Sequence, residues 1–268
     1  MNVLERKMKF KKKISKFYKE IIFKLKKKIN LDKQILELAS LNELFNYFGT
    51  DKGTEVMNQY KKNPSKTDQK LIGHGYAQFY EKHLNIYKND KINILEIGTW
   101  KGASVAAFYH YFKNAIIFCI DKNFKFQFES NRVNFFNCDT ENFTDIKNLE
   151  KYFIEKKSES FEVIIDDGSH NYTDILNNFQ NFFKRIKPGG FYIIEDFNHY
   201  RLHSSYFNDK PDNAFDISKI FEFLLNKKNF KSEDLDHDFQ NYCFENISNI
   251  TIHKGIKDYS YIAFIKKK

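Results

Sequence analysis

Cysteine, proline and glycine are all scarce in this chain, and each scarcity removes a class of protein. The three cysteines, Cys119, Cys138 and Cys243, stand far apart with no paired spacing. That excludes a disulfide scaffold, a zinc finger and an iron–sulfur site, and makes a reducing cytoplasm the expected setting. Three prolines and ten glycines in 268 residues, few of them outside short turns, leave no flexible interdomain linker. No apolar run approaches the roughly 18 residues of a membrane span, and no basic start, apolar stretch and cleavage site follow one another. Neither a spanning helix nor a secretory signal is expected, and no internal repeat is present.

What is there is apolar and aromatic mass, 41% and 18%, enough to bury one substantial core. The net charge of +9 is concentrated at the start. In residues 1–35, a basic N-terminal extension, Ile14, Phe17, Ile21, Ile22, Phe23 and Leu25 interrupt lysines at partly helical spacing. The segment reads as a solvated lysine-rich extension, and also as a surface for an anionic membrane or a lipid-linked acceptor. A nucleic-acid partner is not expected, because stacking aromatics and a recognisable RNA-binding motif are missing.

The chemistry lies between Ile92 and Asp196. Ile92 to Ile97 reads as a strand that breaks at Gly98, and Lys101 to Phe112 has the length and composition of a helix. The turn between them, with Gly98 and Gly102, lets backbone approach a ligand, and the helix start offers free amides. A dinucleotide fingerprint would place glycine where Trp100 stands, which points to a nucleoside without a diphosphate. A second strand, Ile116 to Ile120, ends at Asp121, where an acid in an open α/β sheet accepts ribose hydroxyls. A third, Val133 to Asn137, is followed by Asp139, positioned for the base edge; either acid also reads as a solvated strand end or a helix cap.

A fourth strand, Phe161 to Ile165, runs into Asp166, Asp167, Gly168, Ser169 and His170. The helix after it, with Tyr172, Ile175, Leu176, Phe179, Phe182, Phe183 and Ile186 at three- and four-residue spacing, is predicted to stop at Lys187-Pro188-Gly189-Gly190. Phe191 to Ile194 then reads as a fifth strand ending in Glu195 and Asp196. A right-handed crossover between parallel neighbours puts both acidic ends on one edge of the sheet. Asp167, Glu195 and Asp196 thus form a candidate set of hard oxygen ligands for Mg²⁺, and equally read as solvated strand ends. His170 is a candidate general base, or a surface histidine.

Glu96 to Gly102 has the pattern E-I-G-x-x-x-G, which resembles the first motif of class I S-adenosylmethionine-dependent methyltransferases. Together with FGTDKG at Phe48 to Gly53, GYAQFYEKHL at Gly75 to Leu84, IDDGSH at Ile165 to His170 and KPGGFYIIED at Lys187 to Asp196, it resembles the macrocin and mycinamicin sugar O-methyltransferases. The resemblance implies a Rossmann-like α/β fold, a seven-stranded mostly parallel sheet with one antiparallel strand. It implies S-adenosylmethionine (SAM) as cofactor, with Glu96, Gly98, Thr99, Gly102 and Ser104 lining its site, Asp121 on the ribose, Asp139 near adenine and Asp166 near the methionine end. It further implies Mg²⁺ on Asp167, Glu195 and Asp196, His170 as base, a sugar acceptor that is nucleotide-linked, lipid-linked or polymeric, and a homo-oligomer.

Residues 36–90 are expected to be a helical segment closing over the site, and residues 91–268 the catalytic domain. Leu38 to Phe48 reads as a short helix broken at Gly49 to Gly53, and His74 to His83 as a second aromatic segment, with Tyr76 and Tyr80 as acceptor contacts or packing. His199, Tyr200 and His203 follow the acids and are candidates to touch the acceptor. Ile217 to Leu225 reads as a helix, and Ile247 to His253 and Tyr259 to Ile265 as a final hairpin. The function implied is a SAM-dependent, Mg²⁺-dependent O-methyltransferase of polysaccharide or glycoconjugate biosynthesis, cytoplasmic or peripheral at the inner membrane face. Methylation of a small non-sugar hydroxyl or amine is one alternative; a non-catalytic SAM-binding or tethering subunit is another.

Overall fold

Successive side chains of a strand face opposite sides of the sheet, and here both sides carry apolar residues. Seven strands, β1 (Asn93–Ile97), β2 (Ile116–Asp121), β3 (Val133–Asn137), β4 (Phe161–Asp166), β5 (Ile186–Glu195), β6 (Ile247–Lys254) and β7 (Tyr261–Lys267), form one sheet in the order β6-β7-β5-β4-β1-β2-β3. Strands β1 to β5 are parallel, and β7 runs antiparallel between β5 and β6. The computed structural model describes residues 3–56, 71–201 and 210–268. His203 and most of the polar stretch from Glu55 to Asp68 lie outside the described residues.

The alternation builds two cores. Ile94, Ile117, Val163, Ile193 and Phe264 turn toward helices α2 (Leu41–Phe48), α3 (Ala77–Leu84) and α4 (Ala103–Tyr111). Leu95, Phe118, Ile164, Tyr192 and Ile265 turn the other way, toward α5 (Phe143–Glu155), α6 (Tyr172–Phe182), α7 (Ile217–Leu225) and α8 (His237–Asn246). Both faces of the parallel strands are covered, as such sheets require. A further helix, α1 (Val3–Leu25), precedes this body. The short strand Ile29–Asn30, paired in parallel with Phe128–Glu129, joins the segment after α1 to the region between β2 and β3.

Two local features set up the site. Helix α2 starts at Ser40 with a reciprocal capping box to Glu43 and ends at Gly49 in the left-handed region (φ 73°), which turns the chain sharply into residues 50–53. That turn is then held by the segment before α3: the amides of His74, Gly75 and Tyr76 donate to the carbonyls of Asp51, Gly53 and Lys52.

The sequence reading needs correction at β5. Lys187 to Gly190 was expected to terminate a helix reaching Ile186, yet α6 ends at Phe182, a single 3-10 turn covers Phe183–Arg185, and the strand begins at Ile186. The register explains the composition: Phe161 pairs with Ile186 but Val163 pairs with Phe191, so residues 187–190 form a bulge. At Gly190 a Cβ would stand 2.5 Å from the Glu162 carbonyl oxygen, so the bulge closes there only on glycine. Helix α4 also begins two residues later than the composition suggests, at Ala103.

Candidate active site

The turns after β1, β2, β3 and β4 meet around a cleft of about 480 Å³ at the carboxyl edge of the sheet. Its position is the one the topology favours, because β1 has β2 on one side and β4 on the other, and ligands of open α/β sheets bind where the winding reverses. Gly98, Thr99, Ser104, Asp121, Asp139 and His170 all line it. Thr99 Oγ1 and Asn178 Oδ1, both from cavity-lining residues, are buried without a hydrogen-bond partner, which suits a polar ligand.

The glycines of the first turn serve packing more than close approach to a ligand. Gly98 has φ 86°, and a Cβ there would lie 2.0 Å from the Asp167 carbonyl oxygen; Gly102, at φ 89° before α4, would strike the Phe126 ring. The first turn is thus pressed against the turn after β4. Trp100, His170 and Asp196 follow β1, β4 and β5 with φ of 43°, 60° and 50°. Left-handed backbone in non-glycine residues costs on the order of 1–3 kcal/mol each and recurs at functional sites.

Asp121 accepts from the Trp100 amide (2.8 Å) and the Asn123 amide (2.6 Å), which fixes the carboxylate at the cleft wall. Asp139 is held more loosely, accepting from the Glu141 amide at 3.3 Å. Glu96 and Asp166 sit beneath the cleft. Burial pushes each carboxyl up to about 7, against the pull of Lys52 on Glu96 and of Asn178 on Asp166. Neither Glu96 oxygen has a well-formed hydrogen bond, although the Ser104 hydroxyl is near enough to lower its pKa. Asp166 accepts from Asn178 Nδ2 (3.2 Å) and the Tyr192 hydroxyl (3.4 Å) on the opposite face of the sheet.

The three acids expected to converge are split into two groups. Asp167 Oδ2 and Glu195 Oε2 both receive the buried Lys52 ammonium, at 2.5 and 2.8 Å. Burial alone would lower the Lys52 pKa, but Asp167 and Glu195 outweigh it and hold the ammonium well above its ordinary range. The Tyr80 hydroxyl donates to Glu195 Oε1, so both oxygens of that carboxylate are engaged. Asp196 instead accepts from the Tyr76 hydroxyl (2.5 Å) and lies near His74 Nδ1 (3.3 Å) and His199 Nε2 (3.7 Å). Burial opposes its charge, yet His74, His170 and His199 hold it well below the usual carboxylate range. Asp196 lies just past the end of β5, in left-handed backbone (φ 50°), and its carboxylate meets Tyr76 on the same α3 side of the sheet where Tyr80 meets Glu195.

Tyr76 and Tyr80 are completely buried and point their hydroxyls at the acids, so of the two readings, acceptor contact or packing, the structure has them packed beneath the site and not on the cleft wall. Burial and the adjacent carboxylates keep both phenols protonated as donors. His199 packs edge-on to His170 at 5.3 Å between ring centroids. His170 Nε2 lies 3.6 Å from Asp167 Oδ1. Lys52 and His74 are the site residues that sequence reasoning missed. Both stand in the quoted or adjacent motifs, but nothing in their spacing tied them to acids more than 100 residues away.

Carboxylates are the donors a hard divalent cation takes, and Asp167, Glu195 and Asp196 stand together at this edge of the sheet, the first two on Lys52 and the third beside His74 and His199, whose imidazoles suit a softer ion. Among the described residues, His170, Asp196 and His199 bring ligand-capable atoms within 4.8 Å of one another, and Asp167 Oδ1 adjoins them through His170. Cys119 and Cys243 are buried in the cores, and Cys138, which lines the cleft beside Asp139, is kept a thiol by burial, its pKa pushed up to about 12.

Residues 95–197 match a family model described as a methyltransferase domain. Over 130 residues, 46% of the chain, the sequence is 28% identical to demethylmacrocin O-methyltransferase of Streptomyces fradiae and to mycinamicin VI 2''-O-methyltransferase of Micromonospora griseorubida. Those matches span 32% and 31% of the relatives' own length, so the chain covers about a third of each. The fold superposes on the MycE methyltransferase from the mycinamycin biosynthetic pathway, solved with Mg and SAH, with a TM-score of 0.59 and 20% identity, over 85% of this chain and 54% of that one. Sheet order, the matched segment and the superposition agree: residues 95–197 are a methyltransferase domain, set in a class I, Rossmann-like methyltransferase fold.

Proposed function

We propose that this chain transfers the methyl group of SAM to a hydroxyl of a sugar-bearing acceptor, with a divalent cation of the Mg²⁺ kind at its carboxylates. The observation that carries the reading is the meeting of Asp167 and His170 with the nucleoside-sized cleft at the switch point of the sheet. The relatives named above support the acceptor class, and the MycE structure supports the two small partners.

Gly98, Thr99, Gly102 and Ser104 would form the wall along SAM, with Asp121 accepting from its ribose hydroxyls, Asp139 facing adenine, and Glu96 and Asp166 lying under the methionine end. Because two backbone amides already orient Asp121, its remaining lone pairs are aimed before the ligand arrives. SAM supplies an activated sulfonium methyl, so the protein's share is alignment and deprotonation of the acceptor oxygen. His170 would take the hydroxyl proton at Nδ1 while Nε2 faces Asp167, whose carboxylate favours the imidazolium that results.

The cation would be held by Asp167, Glu195 and Asp196, and when bound it lowers the pKa of an acceptor hydroxyl and fixes its direction. Lys52 is the internal charge with which it competes for the first two. His199, packed edge-on to His170, would contact the acceptor. Residues 36–90 act as the closing segment, since Lys52, Tyr76 and Tyr80 reach from it to the acids. The wider setting is glycoconjugate or polysaccharide synthesis in the cytoplasm by a homo-oligomer, with residues 91–268 as the catalytic unit. Replacing Asp167 with alanine should abolish turnover while S-adenosylhomocysteine still binds; full activity of that variant after metal removal would refute the roles given to Asp167 and the cation.

A further inference from the structure

The helix α1 is mounted the wrong way round for a helix that merely packs on a domain. On a 3.6-residue period its residues Ile14, Phe17, Tyr18, Ile21, Ile22 and Leu25 fall on one stripe. All six are exposed, Phe17 at 62%, Tyr18 at 63% and Leu25 at 80%. Phe23, half a turn away from the middle of the stripe, is the buried residue, packed against Phe124 and Phe135 at 5.5 and 5.1 Å between ring centroids. Lys16, on the same side as Phe23, is paired with Asp145 of α5 at 2.9 Å. The helix is thus fixed to the body by its polar side, and its apolar stripe faces outward.

The charge says what covers that stripe. Residues 1–28 hold eleven lysines and one arginine against two glutamates, a net of +10, while the whole chain is +9. The remainder of the molecule is close to neutral, so the positive charge is a property of this one segment. Lys24 borders the stripe on one side and Lys19 and Lys26 on the other. An apolar stripe between lysine borders, on a helix with no stretch able to cross a bilayer, is the form of a helix that lies in a lipid interface. A second copy of the same stripe is disfavoured, because pairing would bring two segments of +10 together.

We propose that α1 docks the protein on an anionic lipid bilayer, with Ile14, Phe17, Tyr18, Ile21, Ile22 and Leu25 entering the interface and the flanking lysines meeting the headgroups. The inference stands apart from the methyl-transfer reading. Either can fail alone.

The test is co-sedimentation of the full chain with vesicles of phosphatidylcholine alone and of phosphatidylcholine with about one quarter phosphatidylglycerol. Binding is expected only with the anionic vesicles, weakening as salt is added. The double variant Phe17→Ser/Ile21→Ser should bind at least about tenfold less tightly, and Lys24→Glu/Lys26→Glu should lose the preference for anionic lipid. Since all four side chains are at the surface, circular dichroism and the thermal midpoint should be unchanged. Absence of binding to anionic vesicles would overturn the proposal. So would undiminished binding by the Phe17/Ile21 variant, which would reduce the contact to lysine charge. A dimer lost in that variant, or preferential binding of a labelled RNA duplex over vesicles, would assign the face to another partner and likewise overturn it.

Discussion

The ammonium of Lys52 lies 2.5 Å from Asp167 and 2.8 Å from Glu195, a buried cation set between two acids from neighbouring strands. It reaches them because the turn after α2 is tied by backbone hydrogen bonds to the segment before α3. Removing it leaves the buried Glu195 carboxylate facing that of Asp167 at the cleft wall. Lys52→Met is therefore expected to destabilise the fold by roughly 3–5 kcal/mol, the usual cost of stripping one partner from a buried pair. Denaturant unfolding checks this, and Glu195→Gln in the same chain should recover part of the loss. Millimolar Mg²⁺ should raise the thermal midpoint of Lys52→Met more than that of the native chain. Equal shifts in the two proteins would separate Lys52 from the cation site.

Tyr80 gives a second test. Its hydroxyl is the donor to Glu195 Oε1, and the side chain is wholly buried among Phe45, Phe108 and Phe264. Phenylalanine would keep the packing and leave a buried carboxylate oxygen unmatched, at a cost of about 1–3 kcal/mol. Tyr80→Phe should lower kcat along with stability. A variant as stable as the native protein would show that Glu195 finds another donor.

Buried carboxyls give the pH dependence its sign. Glu96 and Asp166 titrate near 7 in the folded chain because of burial, and near 4 when unfolded. Between those values the folded state binds more protons, so stability should fall as the pH rises from about 5 to 7 and level off above, by on the order of a few kcal/mol in total. Asp196 is shifted the other way, and its contribution is lost only in stronger acid. Unfolding midpoints at several pH values measure the slope, and Glu96→Gln should reduce it. Stability that climbs steadily through this window would contradict the assignment.

Much of the fold was legible because strand ends here are marked chemically. Asp121, Asp166 and Glu195 are the last residues of β2, β4 and β5, and each was identified as an acid following an apolar run. Helix α5 passed unread although Asn142 caps it and Leu149 and Phe153 bury its apolar side. The division of the acids was harder to see. Glu195 and Asp196 are adjacent in sequence, but their separation into two clusters depends on the left-handed backbone at Asp196 and on Lys52, Tyr76, Tyr80 and His74 arriving from a segment more than 100 residues away. A lysine between Asp51 and Gly53 in a turn looks solvent-bound until the turn is seen folded against the sheet.

The close contact of the first and fourth turns sets one more expectation. A methyl group at Gly98 would overlap the Asp167 carbonyl, and the φ of 86° already disfavours a side chain. Gly98→Ala should weaken S-adenosylhomocysteine binding by at least about tenfold and lower the thermal midpoint, since displacement of either turn costs about 1–3 kcal/mol or more. Calorimetric titration reads the affinity; native affinity would mean that the two turns separate freely.

The most direct measurement is methyl transfer from isotopically labelled SAM to a panel of nucleotide-linked sugars, with and without Mg²⁺, following S-adenosylhomocysteine and methylated product by mass spectrometry. Cation-dependent product that disappears in His170→Ala, with S-adenosylhomocysteine binding retained, is the expected result. SAM binding with no sugar product under either condition would contradict the sugar-directed reaction and, with it, the role given to the carboxylates.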